Sequence, residues 1–164
     1  CDEPKHVEKG LITLMHEDEI VELAVKSGVK WVCLTGGEIS LHPLNLLIRK
    51  LQEAGLKVQA ESNGLNILNI NKADHLTCSP KDKDGNIPNG IIGHWTDIKL
   101  VVQRGDDARN HLKVYGDVCD NLFVQPCNNE DGINQDNLDY ALELIQEFPK
   151  VGLSVQLHKI LGVD

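Results

Sequence analysis

Residues 31–43 read WVCLTGGEISLHP. An apolar β-type run stops at Gly36 and Gly37, Glu38 follows at once, and a helix-like pattern starts beyond Pro43. There Leu44, Leu47, Ile48 and Leu51 recur at i, i+3, i+4 and i+7, the spacing of one helical face. Two adjacent glycines let the backbone approach a ligand or take up positive φ. The stretch is neither the G-x-G-x-x-G of dinucleotide folds nor a P-loop, because no Gly-Lys-Ser/Thr follows. Taken alone, a plain strand-to-helix turn with a solvated Glu38 explains it equally well.

The same alternation extends in both directions. Glu17 to Lys26 carries Ile20, Leu23 and Ala24 on a helical spacing and ends at Ser27-Gly28; Lys30 to Thr35 is a strand. Gly55 closes the helix that begins near Leu44, and Leu56 to Glu61 is the next strand. Ala73 to Cys78 is a third strand, followed by an irregular connection, KDKDGNIPNGIIG, over Lys81 to Gly93. Asp97 to Gln103 is a strand, Asp106 to Val114 a short helix, and Asn121 to Gln125 a strand. Asn134 or Asp136 can cap a helix bearing Leu138, Ala141, Leu142 and Ile145, which Pro149 ends. Leu153 to Leu157 is the sixth strand. Strands separated by helices pair in parallel through right-handed crossovers. The expected class is therefore α/β, one parallel sheet in a single domain over residues 1–164. Regular rhythm, with polar clusters just after the strands, favours a partial (β/α) barrel over a doubly wound sheet.

Bulk properties exclude some functions. The 164 residues carry a formal charge of -9 with no Lys/Arg run, which disfavours a binder of phosphate backbones. Nucleic acid is not an expected partner. No apolar run approaches the length of a bilayer span, and CDEPKHVEKG lacks the features of a signal peptide; neither membrane nor secretion is expected, and the expected location is the cytoplasm. Five cysteines at irregular spacings, Cys1, Cys33, Cys78, Cys119 and Cys127, do not suggest a disulfide framework. Cys33 and Cys78 read as buried small hydrophobes. Cys119 and Cys127 flank a strand, with joint metal binding as an open alternative.

The clusters after the strands are Gly36-Gly37-Glu38, Ser62-Asn63-Gly64, Ser79-Pro80-Lys81, Gln125-Pro126 and His158-Lys159. In parallel α/β folds that edge binds ligands. Each also has an ordinary reading. Ser62-Asn63-Gly64 suits a capping turn, Lys81 a solvated loop, Gln125 a satisfied core amide, and His158 a structural imidazole. No Ser/His/Asp or Cys/His constellation and no H-E-x-x-H motif can be read from the spacing.

As a set, WVCLTGGEISLHP, VQAESNG, LTCSPK, DIKLVV, NLFVQP and VQLHK, in that order, resemble 7-carboxy-7-deazaguanine synthase, a radical S-adenosylmethionine enzyme. The resemblance runs from Cys1 to His158. It implies a partial barrel, a [4Fe–4S] cluster, S-adenosylmethionine and Mg2+. It also implies an electron donor such as flavodoxin and a pterin substrate; a homodimer is expected separately, because the open edge of a partial barrel is a liability that a partner covers. Its members convert 6-carboxy-5,6,7,8-tetrahydropterin to 7-carboxy-7-deazaguanine with loss of ammonia. The cofactor performs the difficult step through a 5′-deoxyadenosyl radical, and the protein orients and protects the reacting carbon. By motif, Gly36, Gly37 and Glu38 would hold the amino group of the cofactor, with Ser62, Ser79 and Lys81 on its ribose or carboxylate and Gln125 beside its adenosine. Thr35, Gly37 and His158 are the candidates for the pterin.

The amino terminus departs from this pattern. Cys1, opening CDEPKH, is similar to the last of three cluster cysteines, and thiolates are what such a cluster demands. The first strand and the other two cysteines are missing from the resemblance, so the chain is expected to be an amino-terminally incomplete radical-enzyme domain, unable by itself to assemble the cluster. Glu3 stands where the family places a Thr on Mg2+, and a carboxylate is a suitable hard ligand. Two other readings compete: a different radical S-adenosylmethionine enzyme, such as a glycyl-radical activating enzyme, and a non-catalytic α/β module that binds a nucleotide-like ligand.

Overall fold

The computed structural model describes residues 13–81, 95–129 and 132–157. Six strands belong to one sheet in chain order: β1 (Trp31–Leu34), β2 (Lys57–Ser62), β3 (His75–Cys78), β4 (Trp95–Val102), β5 (Cys119–Pro126) and β6 (Val151–Leu153). Four α-helices accompany them: α1 (Glu17–Lys26), α2 (Asn45–Glu53), α3 (Ala108–Tyr115) and α4 (Gln135–Glu147). The expected parallel α/β class is what the chain adopts. By compactness the chain divides into two units, residues 1–76 and 77–164.

In the first unit β1 pairs in parallel with β2, Trp31 opposite Lys57 through Leu34 opposite Ala60. Helix α2 packs on β2, and its periodic residues Leu47, Ile48 and Leu51 are buried with Val58, Ala60 and Ile70. Burying such side chains contributes about 1.5–3 kcal/mol each. Helix α1 lies against α2 and is fixed there by polar contacts, with Lys50 Nζ 2.9 Å from Glu17 and 2.8 Å from Asp18. None of its residues is buried, and the expected face residue Leu23 is 55% exposed. Strand β1 is similarly open. Cys33, expected to be buried, is exposed: among the described residues β1 pairs on one side alone, and its register sets Cys33 opposite half-buried Gln59.

Asp74 ties the end of this unit together. Its carboxylate accepts from the Val58 N–H at 3.0 Å, Gln52 Nε2 at 2.9 Å and Lys57 Nζ at 2.6 Å, while its own N–H donates to the Val58 carbonyl at 2.8 Å. Burial pushes its pKa up, but the bonds from Gln52, Lys57 and Val58 prevail and lower it from 3.8 to about 2.

In the second unit β3 pairs with β4, β4 with β5 and β5 with β6, all in parallel. Ile98, Leu100 and Val102 of β4, Leu122 and Val124 of β5 and Ala141 and Leu144 of α4 form its core. Asn134 caps α4 through Oδ1, which accepts from the Asn137 N–H at 3.1 Å, the satisfaction of an orphan donor that the sequence suggested. Buried Asn137 then joins two loops: its Oδ1 accepts from Arg104 N–H at 2.9 Å and its Nδ2 donates to the Cys127 carbonyl at 2.8 Å. The sixth strand begins earlier than its apolar residues indicate, at Val151, and the ladder stops at Leu153 opposite Val124. Leu153 and, beyond the ladder, Val155 and Leu157 are exposed and alternate with Ser154 and Gln156, which hydrogen-bond to side chains of β5 and the residues that follow it. Cys119 opens β5 and Cys127 follows it, so an extended strand holds the two thiols roughly 25 Å apart and joint metal binding is ruled out. No described helix is long and apolar enough to cross a membrane.

Candidate functional site

The segment after β1 is shaped by backbone conformation. Gly36 has φ 94° and Gly37 φ 58°, values that cost L-residues about 1–2 kcal/mol. A Cβ built on either would meet nothing within 4 Å. The glycines are therefore required by their left-handed turns, and the space in front of Thr35, Gly36 and Gly37, all exposed, is open.

That turn delivers Glu38 to the end of β2. Its Oε1 accepts from the Ser40 N–H at 2.9 Å and the Ser62 hydroxyl at 2.6 Å, and its Oε2 from the Asn63 N–H at 2.7 Å. Glu38 is not the solvated side chain of the ordinary reading. Ser62 is buried at 5% exposure, and its Oγ also accepts from the Gly64 N–H at 3.0 Å, while Asn63 Oδ1 accepts from Leu65 N–H at 2.9 Å. The capping turn expected at Ser62-Asn63-Gly64 is thus present and doubles as the seat of Glu38. Burial raises the pKa of Glu38, and hydrogen bonds from Ser40, Ser62 and Asn63 outweigh it and hold the carboxyl below its ordinary value. The group is an anion near neutral pH. The Ser40 side chain adds to these bonds on the carboxylate.

Buried Ser40 supports the turn. Its Oγ accepts from the Asn66 N–H at 3.2 Å and its carbonyl accepts from Asn69 Nδ2 at 2.7 Å. Sequence reasoning did not single out Ser40, Asn66 or Asn69; a Ser inside an apolar helical start is the one signal available.

Ser79 directly follows β3 and Lys81 lies two residues further, in the second unit. Gln125 is at the end of β5, where its Oε1 accepts from the Ser154 hydroxyl at 3.2 Å. Glu38 and Ser62 are therefore brought into contact, and Gln125 is brought to Ser154, a partner the sequence did not indicate. Asn128 is a further residue without a linear signal: its Nδ2 donates to Gln156 Oε1 at 3.1 Å, and its Oδ1 is buried with no partner. Cys1, Glu3 and His158 lie outside the described residues. Among the described residues no group of three or more His, Cys, Asp or Glu is arranged to hold a metal.

Comparison with known proteins gives a consistent result. No family model matches the chain. The chain is 34% identical over 151 residues to the 7-carboxy-7-deazaguanine synthase of Bacteroides thetaiotaomicron, covering 92% of this chain and 75% of the relative. It is 30% identical over 142 residues to the protein of the same name from Rickettsia prowazekii, covering 83% of this chain and 60% of that relative. Among solved structures it resembles QueE from Escherichia coli with a TM-score of 0.68 at 21% identity, over 87% of this chain and 64% of that one. This last likeness concerns the fold and accords with the expected parallel α/β partial barrel.

Proposed function

The chain belongs to the 7-carboxy-7-deazaguanine synthase family, and from that premise we propose that it forms most of the catalytic domain of a radical S-adenosylmethionine enzyme of deazapurine biosynthesis. The reaction proposed is the conversion of 6-carboxy-5,6,7,8-tetrahydropterin to 7-carboxy-7-deazaguanine by ring contraction with loss of ammonia. The observation that carries the reading is the Glu38 seat, in a chain 34% identical to a relative of that name.

The residues of the first unit fit one end of the cofactor. An ammonium group needs an anionic acceptor, and Glu38 is ionised and oriented by Ser40, Ser62 and Asn63. The open, left-handed Gly36-Gly37 turn leaves backbone carbonyls free of side-chain cover. In the proposal these groups bind the methionyl amino group, Ser62 acts through Glu38, and Ser79, Lys81 and Gln125 serve the ribose, carboxylate and adenosine portions. Thr35, Gly37 and His158 take the pterin. A [4Fe–4S] cluster, when bound, supplies the electron for cofactor cleavage, with Cys1 as a ligand; Mg2+ at Glu3 is part of the same proposal. An electron donor such as flavodoxin and a second copy of the chain complete the proposed partners.

Calorimetry with S-adenosylmethionine and, separately, with 6-carboxypterin tests the reading. Binding of both is expected, with loss of S-adenosylmethionine binding in Glu38→Ala. Binding of the cofactor without the pterin supports a radical enzyme of different substrate, and binding of neither overturns the proposal.

A further inference from the structure

Beyond Leu153 the chain leaves the β-ladder but keeps its alternation. Leu153, Val155 and Leu157 are 38%, 41% and 58% exposed, whereas Ser154 and Gln156 are turned to amides at the end of β5 and just past it. The Ser154 hydroxyl donates to Gln125 Oε1 at 3.2 Å, and Gln156 Oε1 accepts from Asn128 Nδ2 at 3.1 Å. An amide has a donor end and an acceptor end, so engaging the nitrogen of Asn128 decides which end is left. What is left is Oδ1, buried and without a partner among the described residues. A buried acceptor lacking a donor is costly, and native structures relieve such groups with water or a ligand.

We propose that Gln156 is a positioning residue: by accepting from Asn128 Nδ2 it fixes the amide so that Asn128 Oδ1 is the acceptor for an N–H donor on a bound nitrogen heterocycle. The inference rests on the functional reading above, which offers two sources of such a donor, the exocyclic amine of the cofactor's adenine and the 2-amino group of the pterin. Gln156 then sets specificity without touching the ligand. If its acceptor is removed, the Asn128 amide is free to turn and offers N–H or C=O indifferently; if a donor replaces it, the preference inverts.

The test is calorimetric titration of the full 164-residue chain with two ligand pairs. S-adenosylhomocysteine is compared with S-inosylhomocysteine, which has a 6-oxo group in place of the amine. 6-Carboxypterin is compared with 6-carboxylumazine, which has a 2-oxo group in place of the 2-amine. The parent is expected to prefer the amine by about tenfold or more in one pair, since a site built around a hydrogen bond rejects the analogue that lacks it. The pair that responds identifies the source. Gln156→Glu, which can only accept, keeps that ratio; Gln156→Leu brings it to within about twofold; Gln156→Lys, which can only donate, reverses it. A parent that binds both members of each pair equally overturns the inference while leaving the functional reading intact. So does a Gln156→Leu or Gln156→Lys protein that weakens both members alike, or a Gln156→Glu protein that loses the ratio. A parent that binds none of the four ligands overturns the functional reading and the inference with it.

Discussion

Replacing Glu38 by Gln preserves shape and removes charge, so it isolates the role of the anion in the first unit. In the parent, Oε1 serves two donors, Ser40 N–H and the Ser62 hydroxyl, and Oε2 serves Asn63 N–H. A neutral amide has one oxygen. Its least costly placement keeps that oxygen with Ser40 and Ser62 and sets NH2 against the Asn63 N–H, donor against donor. One hydrogen bond to a charged group, about 1.5–3 kcal/mol, is lost, and the Ser62 bond becomes a weaker neutral one. Relief of carboxylate desolvation offsets part of this, leaving a net loss of about 2 kcal/mol. At about 2–4 °C per kcal/mol for a chain of this size, Tm falls by about 4–8 °C. Thermal unfolding followed by circular dichroism at pH 7 measures it, with exposed Glu53→Gln as the control that stays unchanged. The pH dependence has a definite sign. The pKa of Glu38 is lowered in the folded chain, so its contribution is fully present above the ordinary value near 4.5 and disappears as pH falls through the folded value. The gap between parent and variant therefore closes on acidification. A Tm for Glu38→Gln within about 1 °C of the parent at pH 7, or a gap that widens in acid, refutes the assignment of the three bonds.

Three further outcomes follow from the same geometry. Asp74, with its side chain 16% exposed and its pKa lowered from 3.8 to about 2, contributes about 1–2 kcal/mol after solvent screening; Asp74→Asn removes this at pH 7, and urea titrations of the two proteins should converge between about pH 4 and pH 2. Gly36→Ala places a Cβ in open space but at φ 94°, so chemical unfolding should show a loss of about 1–2 kcal/mol from backbone strain alone, and an unchanged midpoint contradicts the left-handed turn. Asn137→Ala strands the Arg104 N–H and the Cys127 carbonyl, a cost of about 2–3 kcal/mol, whereas Asn137→Asp retains the bond to Arg104 and loses less; equal losses in urea titrations exclude that account.

Helices and strands were legible wherever burial sets the period. The residues Leu47, Ile48 and Leu51 announced α2, and they are its buried face. Asn134 as a cap and Gly55 as a stop were legible because capping chemistry is local. Errors fell where a neighbour decides. Cys33 looks like a core residue in any apolar run, and its exposure depends on which side of β1 is paired. Leu153 to Leu157 reads as a strand by composition, yet the register with β5 ends at Leu153 opposite Val124, and past it the Ser154 N–H still donates to the Val124 carbonyl at 2.8 Å. The motif glycines were found from sequence, but the choice between close approach and positive φ needed the backbone, which settles it for positive φ. Likewise Glu38 and the Ser62-Asn63 cluster are both legible in the sequence, but their contact is not, since Ser62 and Asn63 are 24 and 25 residues away from Glu38.

The physical consequence of the Glu38 seat concerns when its cost is met. Moving a carboxylate out of water is expensive, and a site that relied on its ligand to compensate would hold a protonated or displaced side chain when empty. Here Ser40, Ser62 and Asn63 supply the compensation within the folded first unit, and they do so strongly enough to lower the pKa against burial. The carboxylate is thus ionised and oriented before any cation arrives, so a bound ammonium gains attraction without a reorganisation penalty. It follows that cation binding at Glu38 should show little dependence on pH above about 5, because the group takes up no proton on release. Titrations at pH 5.5 and pH 7.5 that differ by the protonation of one carboxyl would show instead that the ligand, and not the fold, holds the charge.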